Sequence, residues 1–342
     1  MIFRSRIDSD RHTRWRRARW PIAFFAGAFA LAAVGEPVPD TCRIHYPSDA
    51  AIKWTCHRIG RHDSLTGLFG SDWQDVLRFN RIDQRHIYPG VRIKVPEDLR
   101  QVEDFTPMPQ RYPPADSDPK FILVNLTEQF LGAYADGRLL MSFPIASGAN
   151  DPPSRRTPDG SFKVTAYDRL HSSSLYDLPD NSTPYPMHYA LRFFINSDWR
   201  AFWLHGRDMP GYAASHGCIG LYDEQMQKKY YGHPRKPVME DARRLYEWAI
   251  APHPDDGHFH ELRDGPPVLI IGRAPDFPPR PTAGKQASPA ARCRPGAGCL
   301  ACGAPAPGPG TQSRSLPPVS PRQASGLRPP SAGARSDARA RY

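Results

Sequence analysis

Ser215-His216-Gly217-Cys218, with Leu204-His205-Gly206 upstream, carries the chemistry open to this sequence. A thiol attacks a carbonyl as thiolate, so it needs a base for its proton and exposed amide N–H groups for the oxyanion that forms. His205 and His216 are the candidate bases. His216 lies two residues from Cys218, and in extended backbone both side chains share a face. His205 follows Phe202-Trp203-Leu204, an aromatic-rich strand suited to holding the ring across from sulfur. Gly206 and Gly217 admit close approach of backbone to substrate, and the amides of Gly217 and Cys218 are candidate oxyanion donors. A thiol pKa lowered by an imidazolium or by backbone dipoles is expected. Zinc on His205, His216 and Cys218 is the competing reading, and it leaves the adjoining glycines without a use.

Charge and composition say where such chemistry would take place. The chain has 342 residues and a formal charge of +10. Residues 1–20 hold seven Arg against Asp8 and Asp10. Residues 273–342 hold ten Arg and Lys285 against Asp276 and Asp337, so the body between the ends is net acidic. A nucleic-acid groove needs basic residues interleaved with aromatics on a folded face, and this distribution excludes one. Arg14 to Arg19, then the uncharged Pro21 to Val34, then small residues, read as an export signal over 1–35. The apolar run is shorter than a membrane span prefers, so membrane attachment follows only if the signal stays uncleaved. An exported protein of the periplasm or cell envelope is expected, and a monomer. Cys42 and Cys56, close in sequence, are candidates for a disulfide; Cys218 has no evident partner.

The elements that must position the site follow. Residues 50–97 read as strand, helix, helix, strand. Ile52 to Cys56 opens, Asp63 or Ser64 caps a helix carrying Leu65, Leu68 and Phe69, Trp73, Val76, Leu77 and Asn80 mark a second, and Val91 to Val95 closes. Residues 98–119, with five prolines, read as a linker. Residues 120–272 contain short strands at Phe121–Leu126, Phe130–Tyr134, Arg138–Met141, Phe143–Gly148, Phe162–Tyr167, Phe202–Leu204 and Val268–Ile271. Asp136-Gly137 is a hairpin turn, and Asp241–Ile250 is a helix covering one face. The domain is mainly β, a sandwich or open barrel. His171 and His188 read as ordinary polar residues, and Trp199 and Trp203 as core or groove wall. Residues 273–342, rich in Pro, Ala and Arg, read as a disordered tail.

Two family resemblances attach to these residues. Asp63-Ser64-Leu65, Asn80, Ile87-Tyr88-Pro89-Gly90 and Ile93-Lys94-Val95-Pro96 resemble a LysM module. That implies binding of N-acetylglucosamine-containing glycan through the loop after the first strand and the segment after the second helix. A small βααβ packing unit with no sugar site is the alternative. Residues 120–272 resemble the YkuD-type L,D-transpeptidase catalytic domain. The resemblance rests on Phe121 to Leu126 with Gln129, Ser147-Gly148, Thr157 to Phe162, Leu204-His205-Gly206, Pro210 to Ile219 and Pro267-Val268.

The second resemblance implies a β-sandwich and a ping-pong acyl transfer on peptidoglycan stem peptides, with no metal or organic cofactor. Cys218 is the implied nucleophile and His205 its base, oriented by the Gly206 carbonyl. His216 shapes the pocket and supports the oxyanion site, with Gly217, and Ser215 fixes the turn. Release of D-alanine and 3→3 cross-linking are implied. Water as acceptor gives an L,D-carboxypeptidase or endopeptidase instead, and a catalytically weak peptidoglycan-binding protein is the third reading. Gly220 departs from the family, which commonly has Arg or Asn there. Only nine residues separate His205 from Ser215, implying a small lid, and His233 to Gly265 is a long insertion.

Overall fold

The computed structural model describes residues 38–180 and 182–276. The expected signal at 1–35, and the expected tail beyond residue 276, lie outside the described residues. Among the described residues no helix is long and apolar enough to cross a membrane.

The N-terminal unit has the expected element order. Strand β1 (Trp54–Arg58) leads to helices α1 (Leu65–Phe69) and α2 (Trp73–Phe79), then to β2 (Arg92–Pro96), which pairs antiparallel with β1. Ser64 caps α1, its hydroxyl accepting the Gly67 N–H at 3.1 Å. Val76, Leu77, Ile82, Val91 and Ile93 form its fully buried core. A disulfide joins Cys42 to Cys56. Two cations are fully buried here against expectation for their type: Arg81 and Lys94. Both pair with Asp49, and the Arg81 guanidinium lies 3.8 Å from the Tyr46 ring centroid while its Nε donates to the Glu128 carbonyl at 3.2 Å. Glu128 belongs to the following domain, so the two parts share a buried ionic network. Removing one partner of such a network costs several kcal/mol, roughly 3–5.

The stretch read as a linker is packed. Val102, Met108 and Ala115 are buried, and Met108 and Ala115 join Phe121, Leu123, Phe130 and Tyr134 in one apolar cluster. Tyr134 Oη donates to the Pro109 carbonyl at 2.9 Å. Proline sets turns along this path but leaves its neighbours free to be buried.

The larger domain is a sandwich of two five-stranded sheets. In chain order its strands are β3 (Phe121–Asn125), β4 (Phe130–Ala135), β5 (Arg138–Pro144), β6 (Gly160–Lys163), β7 (Ala166–Asp168), β8 (Ser172–Asp177), β9 (Pro184–Pro186), β10 (Ala190–Ile195), β11 (Ala201–Arg207) and β12 (Ile219–Tyr222). Helices α3 (Glu224–Tyr231) and α4 (Asp241–Ile250) follow, then β13 (His260–Glu261) and β14 (Pro267–Ile271). One sheet runs β5-β4-β3-β14-β6 and the other β12-β11-β10-β7-β13, with β8 and β9 a separate hairpin. Ile122, Val124, Leu131 and Phe143 of the first sheet meet Leu191, Phe193, Leu204, Ile219 and Leu221 of the second. Ala242, Leu245, Tyr246, Ala249 and Ile250 of α4 pack on the same core. The insertion at 233–265 therefore serves the core and adds β13 to the second sheet.

Candidate active site

The site lies on β11 and β12, which pair in parallel with Leu204 opposite Ile219 and His205 opposite Gly220. Side chains alternate along a strand. Leu204, Ile219 and Leu221 enter the sandwich core, so Trp203, His205, Arg207, Cys218 and Gly220 share the opposite face. Cys218 is a free thiol, half-buried against Met187, Ala190 and Trp203. His205 is 4 % exposed, and its Nδ1 lies 2.8 Å from the Gly206 carbonyl. That carbonyl only accepts, so Nδ1 carries the proton and Nε2 the lone pair. Gly206 must be glycine: a Cβ there would fall 2.3 Å from Asp223 Oδ2.

The turn before Cys218 is braced from three sides. Gly217 has φ of 124°, and a Cβ on it would lie 2.6 Å from the Phe202 ring. Ser215 Oγ accepts the Gly217 N–H at 3.0 Å and donates to the Cys218 carbonyl. The Gly217 amide, one of the two expected oxyanion donors, is thereby taken. Thr157 Oγ1 donates to the Gly217 carbonyl at 2.9 Å and accepts the Gly148 N–H at 2.8 Å. Ser215 N–H donates to the Ser147 carbonyl at 3.0 Å, and buried Gln129 clasps Ser147 through both ends of its amide. The motif residues Gln129, Ser147, Gly148 and Thr157, far apart in sequence, converge behind the turn.

Several site residues escape sequence reasoning. Tyr176 of the β8–β9 hairpin stacks on His216 with centroids 4.5 Å apart. His171, read as an ordinary polar residue, places its ring 4.2 Å from that of Trp203 and pairs with Asp168. The cover over the site thus comes from the 170–187 hairpin rather than from the short 206–214 segment. Leu170 and Leu175 leave that hairpin exposed. Trp199, read as core or wall, is 87 % exposed at the turn before β11. Trp203 is buried beside the thiol.

Residues 119–270 match the family model described as YkuD, L,D-transpeptidase catalytic domain. The matched residues make up less than half of the 342-residue chain. No curated protein matches the chain. Among solved structures, the chain is similar to an L,D-transpeptidase from Stackebrandtia nassauensis at 19% identity, over 52% of this chain and 65% of that one, with TM-score 0.32. It is similar to one from Mycobacterium smegmatis at 16% identity, over 45% and 59%, with TM-score 0.30. The chain spans less than two thirds of the length of either.

Burial dominates the electrostatics of this site. It pushes His205 down to about 3, with the nearby Arg207 charge acting in the same direction. Burial pushes the Cys218 thiol up; a backbone hydrogen bond from Trp203 and the charges of Arg200 and Arg207 oppose it. His216 is lowered as well, by burial and then by Arg155, Arg200 and Arg207. Burial thus acts against the low thiol pKa expected from the sequence and favours the neutral forms of both imidazole and thiol.

Proposed function

We propose that this chain is an L,D-transpeptidase acting on peptidoglycan stem peptides through a thioester on Cys218. The observation that carries the reading is the His205–Gly206 hydrogen bond. It fixes an imidazole with a free Nε2 on the same sheet face as an unpaired, half-buried thiol. Within a YkuD domain this supports acyl transfer over a structural cysteine.

In the proposed reaction His205 Nε2 takes the Cys218 proton as sulfur attacks the carbonyl of the L-centre of a diamino acid. An S–C bond forms, the C–N bond to D-alanine breaks, and the imidazolium proton leaves with the amine. An amine of a second stem then attacks the thioester, His205 takes its proton, and the S–C bond breaks to give a 3→3 cross-link, the imidazolium returning that proton to the Cys218 sulfur. The Cys218 amide is the remaining candidate donor to the oxyanion, with His216 lining the pocket under Tyr176. With burial favouring the neutral pair, deprotonation accompanies attack as general-base catalysis. Peptidoglycan as substrate places the chain outside the cytoplasm.

The glycan-binding reading of the N-terminal unit loses one of its two edges. Asn80, Arg81, Ile82 and Asp83, in the segment after the second helix, are buried. The Gly60 to Ser64 loop, the other edge, is exposed.

Incubation of the full chain with disaccharide tetrapeptide, products weighed by mass spectrometry, tests the proposal. A cross-linked dimer lacking one D-alanine is expected. Tripeptide as sole product assigns water as the acceptor and makes the enzyme an L,D-carboxypeptidase. Neither product, from folded protein, overturns acyl transfer and leaves a binding protein.

A further inference from the structure

Parallel strands are ordinarily joined by a crossover of a dozen or more residues, usually containing a helix that packs back on the sheet. The β11–β12 connection is residues 208–218 and contains no helix. Its support comes from elsewhere in the chain. Asp83 N–H donates to the Met209 carbonyl at 2.9 Å, and Met209 N–H donates back to Asp83 Oδ2 at 2.5 Å. Ile82 forms a β-bridge with Pro210, and Met209 is fully buried in the core of the N-terminal unit. Gly211, at φ of 90°, lets the chain pass so close that a Cβ would meet Thr41 Cγ2 at 2.7 Å.

The same segment reaches Arg207, whose side chain passes over Gly220, two residues from Cys218. Arg85 pairs with Asp208 at 3.3 Å, and His86 Nε2 lies 3.6 Å from that carboxylate. Tyr185 of the hairpin donates to Asp208 at 2.6 Å. The Asp208 carbonyl accepts Arg207 Nε at 2.8 Å. Asp83 is itself fully buried, with His86 on one oxygen and Gln227 as well as Met209 on the other.

We propose that residues 82–86 of the N-terminal unit are a built-in wall of the catalytic centre, replacing a crossover helix, with Asp83 the positioning residue that holds Arg207 over Gly220 on the sheet face of Cys218. The chain's own 209–211 segment, not a glycan, occupies this edge of the unit. The proposal rests on Cys218 being the nucleophile, but its test does not use the substrate.

Full-length wild type, Asp83→Asn, Arg85→Ala and Arg85→Lys are compared by thermal unfolding and by iodoacetamide alkylation between pH 6 and 10. Alkylation is read at Cys218 by peptide mass mapping. Asp83→Asn turns an acceptor into a donor facing N–H groups, so the loop shifts and Arg207 withdraws. Alkylation at pH 8 is expected to slow about tenfold, with the profile moved to higher pH, since a cation withdrawn from the face that carries a thiolate disfavours it. Arg85→Ala, at a partly exposed side chain, is expected to slow it about threefold, and Arg85→Lys to recover part of that loss. An unchanged Cys218 profile in folded Asp83→Asn and Arg85→Ala, with only the unfolding midpoint lowered, overturns the proposal. Should Asp83→Asn fail to fold, the Arg85 pair alone decides it. Failure of wild type to turn over stem peptide would count against the nucleophile reading and leave these profiles interpretable.

Discussion

Arg207 lies across the bare backbone of Gly220: a Cβ built on the glycine would fall 1.9 Å from Arg207 Cδ. The two residues sit on adjacent parallel strands, where His205 faces Gly220. The missing side chain at 220 is thus the space through which a guanidinium from the neighbouring strand passes. Gly220→Ala is expected to expel it. Carbapenem acylation of Cys218 should slow by about three- to tenfold, and Arg207→Ala should cause a similar loss. The double variant should lose no more than either single change, because both remove one interaction. Additive losses in that cycle would mean that the two residues act separately.

Acylation should respond to pH as a neutral thiol–imidazole pair requires. His205, held down to about 3, is already deprotonated throughout the physiological range. No acidic limb near the ordinary histidine value is expected. The thiol, pushed above its usual range by burial, titrates at the alkaline end. The rate of carbapenem addition to Cys218 should climb with pH without levelling before about pH 9, and Cys218→Ala should abolish the adduct. A plateau already reached by pH 7 would show a preformed thiolate–imidazolium pair instead.

Stability should fall as pH rises between about 4 and 7. Burial raises Asp223 to about 6 and Glu240 to about 7. The folded state therefore holds protons that the unfolded chain releases from about pH 4 upward, and stability declines until the folded values are passed. Asp208, lowered to about 2 by its neighbours despite burial, acts in the opposite sense: its contribution is present above about pH 4 and is lost as pH falls toward 2. Asp223 Oδ1 caps α3 by accepting the Met226 N–H, while Oδ2 is buried without a hydrogen-bond partner. Asp223→Asn keeps an acceptor for the cap and removes the charge. Its denaturant midpoint at pH 7.5 should exceed wild type, by up to about 3 kcal/mol in unfolding free energy, and the slope between pH 4 and 6 should flatten.

What sequence revealed and what it hid divide along a physical line. Cys218, His205 and their glycines are legible because reactive side chains and backbone permissiveness sit together within a few residues. The Asp136-Gly137 hairpin and the Val268–Ile271 strand are legible from local turn chemistry and apolar runs. The hairpin that covers His216 is not, because the residues of β8 are nearly all exposed and carry no apolar alternation. The burial of Arg81 and Lys94 is equally hidden, since it depends on Asp49 and Glu128 arriving from other segments. Arg207 could not be assigned to the site from its own surroundings. Its place follows from a glycine across a parallel pair whose register no local pattern sets.

Ser215→Ala separates two roles of the turn. The hydroxyl ties down the Gly217 N–H and the Cys218 carbonyl together, at 4 % exposure of the residue. Its removal leaves both groups without that partner, at a cost of about 1–3 kcal/mol. It also frees the Gly217 amide. If a free Gly217 amide were what the oxyanion lacks, the variant would be less stable and yet acylate faster. If the turn's shape is what matters, sulfur loses its aim and acylation slows. The bracing by Thr157, Ser147 and Gln129 favours the second outcome, because that many groups hold Gly217 and Ser215 in one arrangement. A fall in acylation rate of at least about tenfold is therefore expected, with a cooperative but earlier denaturant transition. Measured together on the same preparation, a faster rate with lower stability would return Gly217 to the oxyanion site.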